Sequence, residues 1–177
     1  MTTNTTEASA TISATDPAGV SESFREALAH FSSGVVIVTT IDVTGAPAGM
    51  TVGSFTSISI DPPLVGFFAG QDSTTLPHVI ENGRFCVNVL AQDQHLLARK
   101  FARSGTDKFV DVTWSPATNG VPRLTGAHAW IDCSVHLDQP IGDHDLVVGR
   151  VDALVVPAPS EPLVFHRSTF HGLRAHP

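Results

Sequence analysis

A mainly β protein with short helices, arranged as an antiparallel barrel, is the fold class that this sequence predicts. Many short segments show the alternation or the β-branched runs of strands, whereas stretches with helical spacing are few and short. The chain has 177 residues, of which 42% are hydrophobic and 15% charged, so it suits one domain with a packed core. Many short strands with few helices are typical of antiparallel barrels.

The N-terminal stretch, residues 1–20, is rich in Thr, Ser and Ala and has no apolar period. We expect it to be a flexible tail, followed by one domain over residues 21–177. The chain then matches a capping box at Ser23 and places apolar residues at helical spacing. A short amphipathic helix should therefore run from Ser23 to about Gly34.

Strand patterns occupy most of the remaining chain, and the turn-forming stretch 42–45 makes the first two of them a hairpin. The predicted strands are 35–41, 48–51, 56–60, 64–68, 85–90, 129–137, 146–156 and 163–166. A helix should start within Ser73 to Pro77 and stop at Gly83, because hydroxyl residues cap, proline suits a first turn and glycine ends a helix. Helical spacing returns over 93–103.

Charge and composition exclude several classes of protein. The net charge is −7 and the 10 Lys and Arg are scattered, so nucleic acid and anionic membranes are poor partners. The start lacks the basic segment and apolar run of a signal peptide, and no apolar run approaches the ~20 residues of a membrane span, which predicts a cytoplasmic protein. Cys86 and Cys133 lie in separate apolar runs, where we expect buried, reduced thiols.

The familiar sequence signatures of several enzyme classes are missing. There is no GxGxxG after a strand, no Walker sequence, no HExxH and no GxSxG. The nine histidines are dispersed, so no metal site is expected.

Five polar segments remain as candidates for chemistry, each with a plainer structural interpretation. The stretch 47–57 concentrates Gly, Thr and Ser, and it either lets backbone approach a flat ligand or simply connects two strands. Residues 73–75 either bind phosphate or cap a helix, and the basic residues of 99–103 either join that site or form a solvated face. His144 in a polar bend, and the pair 166–167 at a strand end, are either turn and edge residues or ligand contacts.

Taken together, these segments resemble the short-chain flavin reductases, which are the reductase components of two-component flavin-dependent monooxygenases. The resemblance extends from Phe24 to Gly172, and it is the order and spacing of the matching pieces that make it specific. Those pieces are Gly49–Ser57, Asp61–Val65, Gly83–Leu90, Arg99–Ala102 with Lys108, Phe109 and Trp114, Gly142–His144 with Gly149–Val151, and Pro162–Arg167.

The resemblance implies an FMN-binding split β-barrel of antiparallel Greek-key type, assembled as a homodimer with flavin near the subunit interface. It implies that flavin is bordered by Pro47, Ala48, Gly49, Met50, Thr51, Gly53, Ser54, Phe68, Ala69, Ser73, Thr75, Leu76, Phe101, Ala102 and Arg103. It further implies that His144, His166 and Arg167 lie where the nicotinamide nucleotide enters.

The activity that the resemblance implies is reduction of FAD or FMN by hydride transfer from NAD(P)H, with diffusible reduced flavin supplied to a partner monooxygenase. We expect NADH rather than NADPH, because no compact Arg and Lys cluster stands out for a 2′-phosphate. No catalytic acid or base is required, since the two cofactors carry the hydride chemistry and the protein stacks one against the other.

Two departures from the family pattern concern the site. Gly53 stands where relatives often carry Asn or Ser, which removes a side-chain contact to flavin. Ser168 and Thr169 follow Arg167 where the common pattern has Gly and Tyr, and the chain contains no tyrosine. Two other functions remain open on the same barrel, a non-catalytic flavin-binding module and an FMN-dependent oxidase with tightly bound flavin, because fold alone does not separate them.

Overall fold

The protein is described by a computed structural model over residues 17–105, 107–157 and 160–173. Within these residues strands dominate, which confirms the mainly β prediction. The helices are α1 (Pro17–Ala29), α2 (Leu76–Asn82) and α3 (His95–Phe101), with a 3₁₀ turn at Gln92–Gln94 before α3. The strands are β1 (Ser33–Gly34), β2 (Val36–Ile41), β3 (Pro47–Val52), β4 (Thr56–Ser59), β5 (Leu64–Gly70), β6 (Arg84–Val89), β7 (Trp114–Pro116), β8 (Pro122–Leu124), β9 (Ala129–Ile141), β10 (His144–Val155), β11 (Leu163–His166) and β12 (Thr169–Gly172).

A seven-stranded antiparallel sheet forms the body of the fold, in the order β3-β2-β6-β9-β10-β5-β4. The edge strand β3 comes back against β5, the strand next to the opposite edge. The Ser54 hydroxyl, just after β3, accepts a hydrogen bond from the Phe68 N–H of β5 at 2.9 Å and donates one to the Phe68 carbonyl at 3.0 Å. Because strands far apart in the sheet order are joined here, the sheet closes into a barrel.

The main core fills the inside of this barrel. Alternate residues of each strand face inward, so Val36 and Val38 of β2 meet Phe67 of β5 and Phe85 of β6, and these four side chains are almost fully buried. The rings of Phe67 and Phe85 pack edge to face, with centroids 5.6 Å apart. Val79 of α2 completes the cluster, so this helix closes one end of the barrel.

A second cluster packs on the outer side of β2. Ile37 points outward into a buried cluster that includes Phe101 of α3, Leu124 of β8 and Leu163 of β11. The small sheet β1-β11-β12 and the β7-β8 hairpin are thereby attached to the barrel. The last turn of α3 lies against β3.

A buried polar network holds the β7-β8 hairpin in place. Asp132 of β9 is fully buried and ion-paired with Arg123 of β8, whose Nε lies 3.1 Å from the carboxylate. Asn88 donates to the Ile37 carbonyl at 2.9 Å and accepts the Leu124 N–H at 2.7 Å. Buried polar groups of this kind are tolerated only when their hydrogen bonds are made, as they are here.

The cysteines are as predicted. Cys86 and Cys133 are both free and fully buried. Burial raises the pKa of each thiol well above its ordinary value, so both are held in the neutral form.

The first helix is placed differently from the prediction. It begins at Pro17, a residue suited to a first helical turn, so Ser23 lies inside the helix and does not cap it. It ends at Ala29 because Ser33 and Gly34 form β1, which pairs with β11. Of the predicted flexible tail, residues 1–16 lie outside the described residues, and residues 17–20 belong to α1.

Several strands were longer or more numerous than predicted. Pairing of β9 with β10 continues through polar residues to Ile141 and His144, because backbone hydrogen bonds do not depend on side-chain polarity. His144 therefore starts a strand. Leu163–His166 was wrongly expected to be the final strand, since β12 follows it; β1, β7 and β8 have only two or three residues each, too few for a visible pattern.

The turn between β11 and β12 carries backbone strain that glycine would relieve. Its two central residues, Arg167 and Ser168, have φ of 46° and 62°, the left-handed values of a tight type I′ hairpin that favours Asn-Gly. We expect Ser168→Gly to raise the free energy of unfolding by about 0.5–1 kcal/mol, measured by urea denaturation. The matched variant Thr169→Gly, in β12, should lower it, and a destabilised Ser168→Gly protein would contradict this account.

No helix in the described part of the chain is long and apolar enough to cross a membrane. Among the same residues, no group of three or more His, Cys, Asp or Glu side chains could hold a metal ion.

Candidate functional site

A cavity of about 390 Å³ opens where the end of β3 meets the end of β5. The start of β10 and the segment after α3 form its other walls. It is lined by Met50, Thr51, Val52, Gly53, Ser54, Phe68, Ala69, Gly70, Asp72, Ser73, Thr74, Phe101, Ala102, Arg103, Ser104, Lys108 and His144.

Close packing of α3 on β3 shapes one wall of this cavity. A Cβ atom on Gly49 would lie 2.7 Å from the Phe101 ring, so glycine is needed for the two elements to approach. The Thr51 hydroxyl donates to the Ala98 carbonyl at 2.7 Å and ties the helix to the strand. Phe101 is nearly fully buried and packs edge to face against Phe109, with centroids 5.0 Å apart. Ala102 and Arg103 are thereby held on the cavity rim.

The loop before α2 shapes another wall of the cavity. The Ser73 hydroxyl accepts the N–H groups of Thr75 and Leu76 at 3.3 and 3.2 Å, and it lies 3.2 Å from the Met50 sulfur. The Thr75 hydroxyl donates to the Gly49 carbonyl at 2.9 Å and is buried. These contacts fasten the loop to β3 and leave Thr74 facing the cavity.

The charged groups in the wall are mostly cationic. Arg103 and Lys108 lie on one side of the cavity, and Asp72 and His144 also line it. Partial burial lowers the pKa of Lys108, because an ammonium loses hydration there. His144 Nδ1 lies 2.7 Å from the Asp143 carboxylate, and this hydrogen bond lowers the pKa of Asp143.

Two mainly apolar grooves adjoin the cavity, and Gly53 borders all three spaces. The first groove, of about 390 Å³, lies between α3 and the β11-β12 hairpin, where the Arg99 guanidinium sits 5.2 Å from the centre of the Phe170 ring. The second, of about 540 Å³, lies between α1 and the same hairpin and includes Arg167. A Cβ on Gly53 would lie 3.2 Å from the Ser33 hydroxyl, a close contact that a small shift of this side chain would relieve.

Most residues that the resemblance assigned to flavin are brought together by the fold. They belong to four separate segments of the chain and line the cavity as a group. These are Met50, Thr51, Gly53, Ser54, Phe68, Ala69, Ser73, Phe101, Ala102 and Arg103.

Other assigned residues lie elsewhere. Pro47 and Ala48 do not line the cavity, since they pair with Ile41 and Thr40 near the far end of the β2-β3 hairpin. Gly49 and Thr75 support the wall from behind, and Leu76 is in the barrel core.

The three residues assigned to the nicotinamide nucleotide are separated in the structure. His144 lines the cavity between β3 and β5, and Arg167 lines the groove beside α1. His166 borders neither the cavity nor the two grooves, and its ring lies 6.1 Å from that of His171. Alternation along β11 explains the position of His166, because its strand neighbour Phe165 lines both grooves and successive residues of a strand point to opposite faces.

Sequence reasoning missed several lining residues, namely Val52, Gly70, Asp72, Thr74, Ser104 and Lys108. Most are direct neighbours of assigned residues and could have been included on that ground. Lys108 is different, since it reaches the cavity from a separate segment. Its only signal was its place beside Phe109 among the matching pieces.

Comparison with known proteins agrees with this geometry. Residues 28–174 match the family described as "Flavin reductase like domain". A flavin reductase of Pseudomonas putida is 41% identical over 152 residues, covering 86% of this chain and 89% of the relative. The reductase subunit HsaB of a flavin-dependent monooxygenase from Rhodococcus jostii is 39% identical over 150 residues, covering 85% of this chain and 76% of the relative.

Among solved structures, this chain is similar over nearly its whole length to the NADH:FAD oxidoreductase of Streptomyces globisporus. That structure was solved in complex with NAD and FAD fragments. It superposes with a TM-score of 0.83 at 30% identity, covering 96% of this chain and 98% of that one.

Proposed function

Since this chain belongs to the flavin reductase-like domain family, we propose that it reduces FAD or FMN with NADH and releases the reduced flavin to a separate monooxygenase. The main support is the cavity between β3 and β5. Its volume of about 390 Å³ is within the usual range for small-ligand sites, and residues from four assigned segments line it.

The two ends of the cavity suit the two ends of a flavin. Gly53, Ser54, Phe68 and Ala69 offer backbone groups and an aromatic surface to a flat ring. Ser73, Thr74, Arg103 and Ser104 offer hydroxyls and a cation to a phosphate. We place the isoalloxazine at the first end and the ribityl phosphate at the second.

The grooves that meet at Gly53 give a nicotinamide nucleotide a route to the exposed face of that ring. His144 in the cavity wall and Arg167 in the adjoining groove are the contacts that we propose for it. With both ligands bound, a hydride passes from nicotinamide to flavin, leaving NAD⁺ and reduced flavin. The protein's task is to hold the two rings about 3–3.5 Å apart, so no side chain has to act as acid or base.

The walls of the cavity between β3 and β5 are exposed enough for reduced flavin to be released. The Phe68 side chain is 40% exposed, and Ala102 and Arg103 are exposed as well. A ligand held between exposed walls keeps part of its hydration and can leave, as transfer to a second enzyme requires. We therefore propose that flavin is a substrate or a loosely held cofactor.

A homodimer is part of the proposal. The side chains of Phe24, Leu28 and Phe31 are 60%, 54% and 79% exposed, and α1 borders one of the grooves beside the cavity. A second copy would cover such an apolar face. We also propose that the protein acts in the cytoplasm, where NADH is available.

The test is oxidation of NADH, followed at its absorbance band, with and without added FAD or FMN, and with NADPH as the comparison. Turnover should require flavin, saturate with it and be faster with NADH. Flavin binding without turnover would favour a non-catalytic module, and copurification of tightly held FMN with no need for added flavin would favour an oxidase. Either result would contradict the proposed transfer of flavin.

A further inference from the structure

The geometry points to Lys108 as the residue that recognises the flavin phosphate, so that the protein binds FMN and FAD in preference to riboflavin. This inference rests on the proposed function, because it assumes that flavin occupies the cavity between β3 and β5. It assigns a role to a residue that the family resemblance did not connect with the ligand.

The Lys108 ammonium is fixed in position at the cavity wall. Its Nζ donates to the Gly49 carbonyl at 2.9 Å and to the Phe101 carbonyl at 3.2 Å. These two carbonyls belong to β3 and α3, so the side chain is held where the two elements meet. An ammonium has three N–H donors, and the side chain lines the cavity, so one donor is left for a ligand.

The charge of Lys108 has no protein counter-ion in the described residues. No Asp or Glu carboxylate of those residues lies within 4.0 Å of its Nζ, although Asp72 lines the same cavity. The side chain is half-buried, and a desolvated cation costs free energy unless an anion compensates it. An anionic group of the ligand is the natural partner.

The contacts around Lys108 identify which part of the ligand this is. The Gly49 carbonyl that accepts Lys108 also accepts the Thr75 hydroxyl, so the ammonium lies beside the loop before α2. Arg103 and Ser104 lie on the same side of the cavity. A compact cation among hydroxyl groups and a guanidinium is suited to a phosphate, whereas the Gly53 and Phe68 side is suited to the ring.

Lys108→Met tests the inference through binding of two flavins that differ only in the phosphate. Affinities of the whole chain for FMN and riboflavin are measured by isothermal titration calorimetry without nucleotide. Loss of a charge-assisted contact should weaken FMN binding about tenfold to 100-fold, with riboflavin changed less than about twofold. Lys108→Arg should recover part of the FMN affinity, since the charge is kept.

Lys100→Met is the matched control. Lys100 also donates from Nζ to a backbone carbonyl, that of Val110, but it does not line the cavity. This variant should bind both flavins as the unmodified protein does. If Lys108 were only a brace between β3 and α3, Lys108→Met would weaken FMN and riboflavin equally, and the inference would be overturned.

A second measurement needs no variant and covers the case in which Lys108→Met does not fold. The unmodified protein should bind FMN more tightly than riboflavin, and rising salt should reduce that difference, because an ion pair is screened. Equal affinities for the two flavins would overturn the inference even if NADH oxidation proceeds. If neither flavin binds, it is the proposed function that fails.

Discussion

Replacing Ala102 with tryptophan is expected to reduce flavin-dependent NADH oxidation strongly while leaving the fold intact. Ala102 is exposed at the end of α3 and borders both the cavity between β3 and β5 and the groove beside the β11-β12 hairpin. A bulky indole there would occupy the space in which we place the flavin. The Kd for FMN, measured by calorimetry, should rise at least about tenfold, which corresponds to about 1.4 kcal/mol.

The control for Ala102→Trp is Leu96→Trp. Leu96 is on the same helix, its side chain is 69% exposed, and it borders neither the cavity nor the two grooves. Both variants should keep the free energy of unfolding within about 0.5 kcal/mol of the parent, as surface substitutions usually do. An Ala102→Trp protein that binds flavin normally would show that the flavin site is elsewhere.

Of the substitutions considered, removal of the Asp132 carboxylate should lower the free energy of unfolding most. Asp132 is fully buried, and its main partner, Arg123, has a side chain that is only 17% exposed. Asp132→Ala would leave the guanidinium without its counter-ion and the Thr118 hydroxyl without its acceptor. We expect the free energy of unfolding to fall by about 3–5 kcal/mol, measured by urea denaturation.

Two further variants distinguish the loss of this ion pair from the general effect of removing an aspartate. Asp152→Ala removes a carboxylate that accepts the Ser134 hydroxyl at 2.6 Å but is exposed, so its cost should stay below about 1 kcal/mol. The double variant Arg123→Met with Asp132→Leu should be less destabilised than Asp132→Ala, because it leaves no buried charge unpaired. A small loss in Asp132→Ala would mean that water replaces the carboxylate.

Stability and function are linked through the segment that carries Lys108. Phe109 packs edge to face on both Phe101 and Trp114, and Trp114 begins the β7-β8 hairpin that Arg123 and Asp132 anchor. The buried ion pair thus supports the segment from which Lys108 reaches the cavity. We expect variants of this pair to bind flavin less well at temperatures where they are still folded.

Local sequence patterns were enough for the elements that carry them strongly. The β-branched run of β2, the turn at 42–45 and the glycine after α2 predicted their elements almost to the residue, because alternation and turn chemistry are local properties. The last four residues of β9, 138–141, and the first two of β10, 144–145, are mostly polar, so nothing local marked them as strands.

In the candidate site, too, some features could be predicted from local sequence and others could not. Gly53 and Ser54 could be assigned from sequence because they lie in a matching piece of the family pattern, and Phe68 because it lies at the end of the adjoining predicted strand. That Ser54 bonds to Phe68, and so joins β3 to β5, follows only from closure of the sheet. The separation of His166 from the cavity and the two grooves has the same origin, since the face to which a strand residue points depends on register.

By itself, the sequence determined that this is a mainly β member of the flavin reductases, because composition, strand alternation and ordered motifs are all properties of the chain read in order. The tertiary structure alone decided which of those motifs meet around one cavity. It also decided that Lys108, far from Gly49 in sequence, donates to its carbonyl and presents a charge to that cavity. Contacts between distant segments arise from barrel closure and packing, and no local pattern records them.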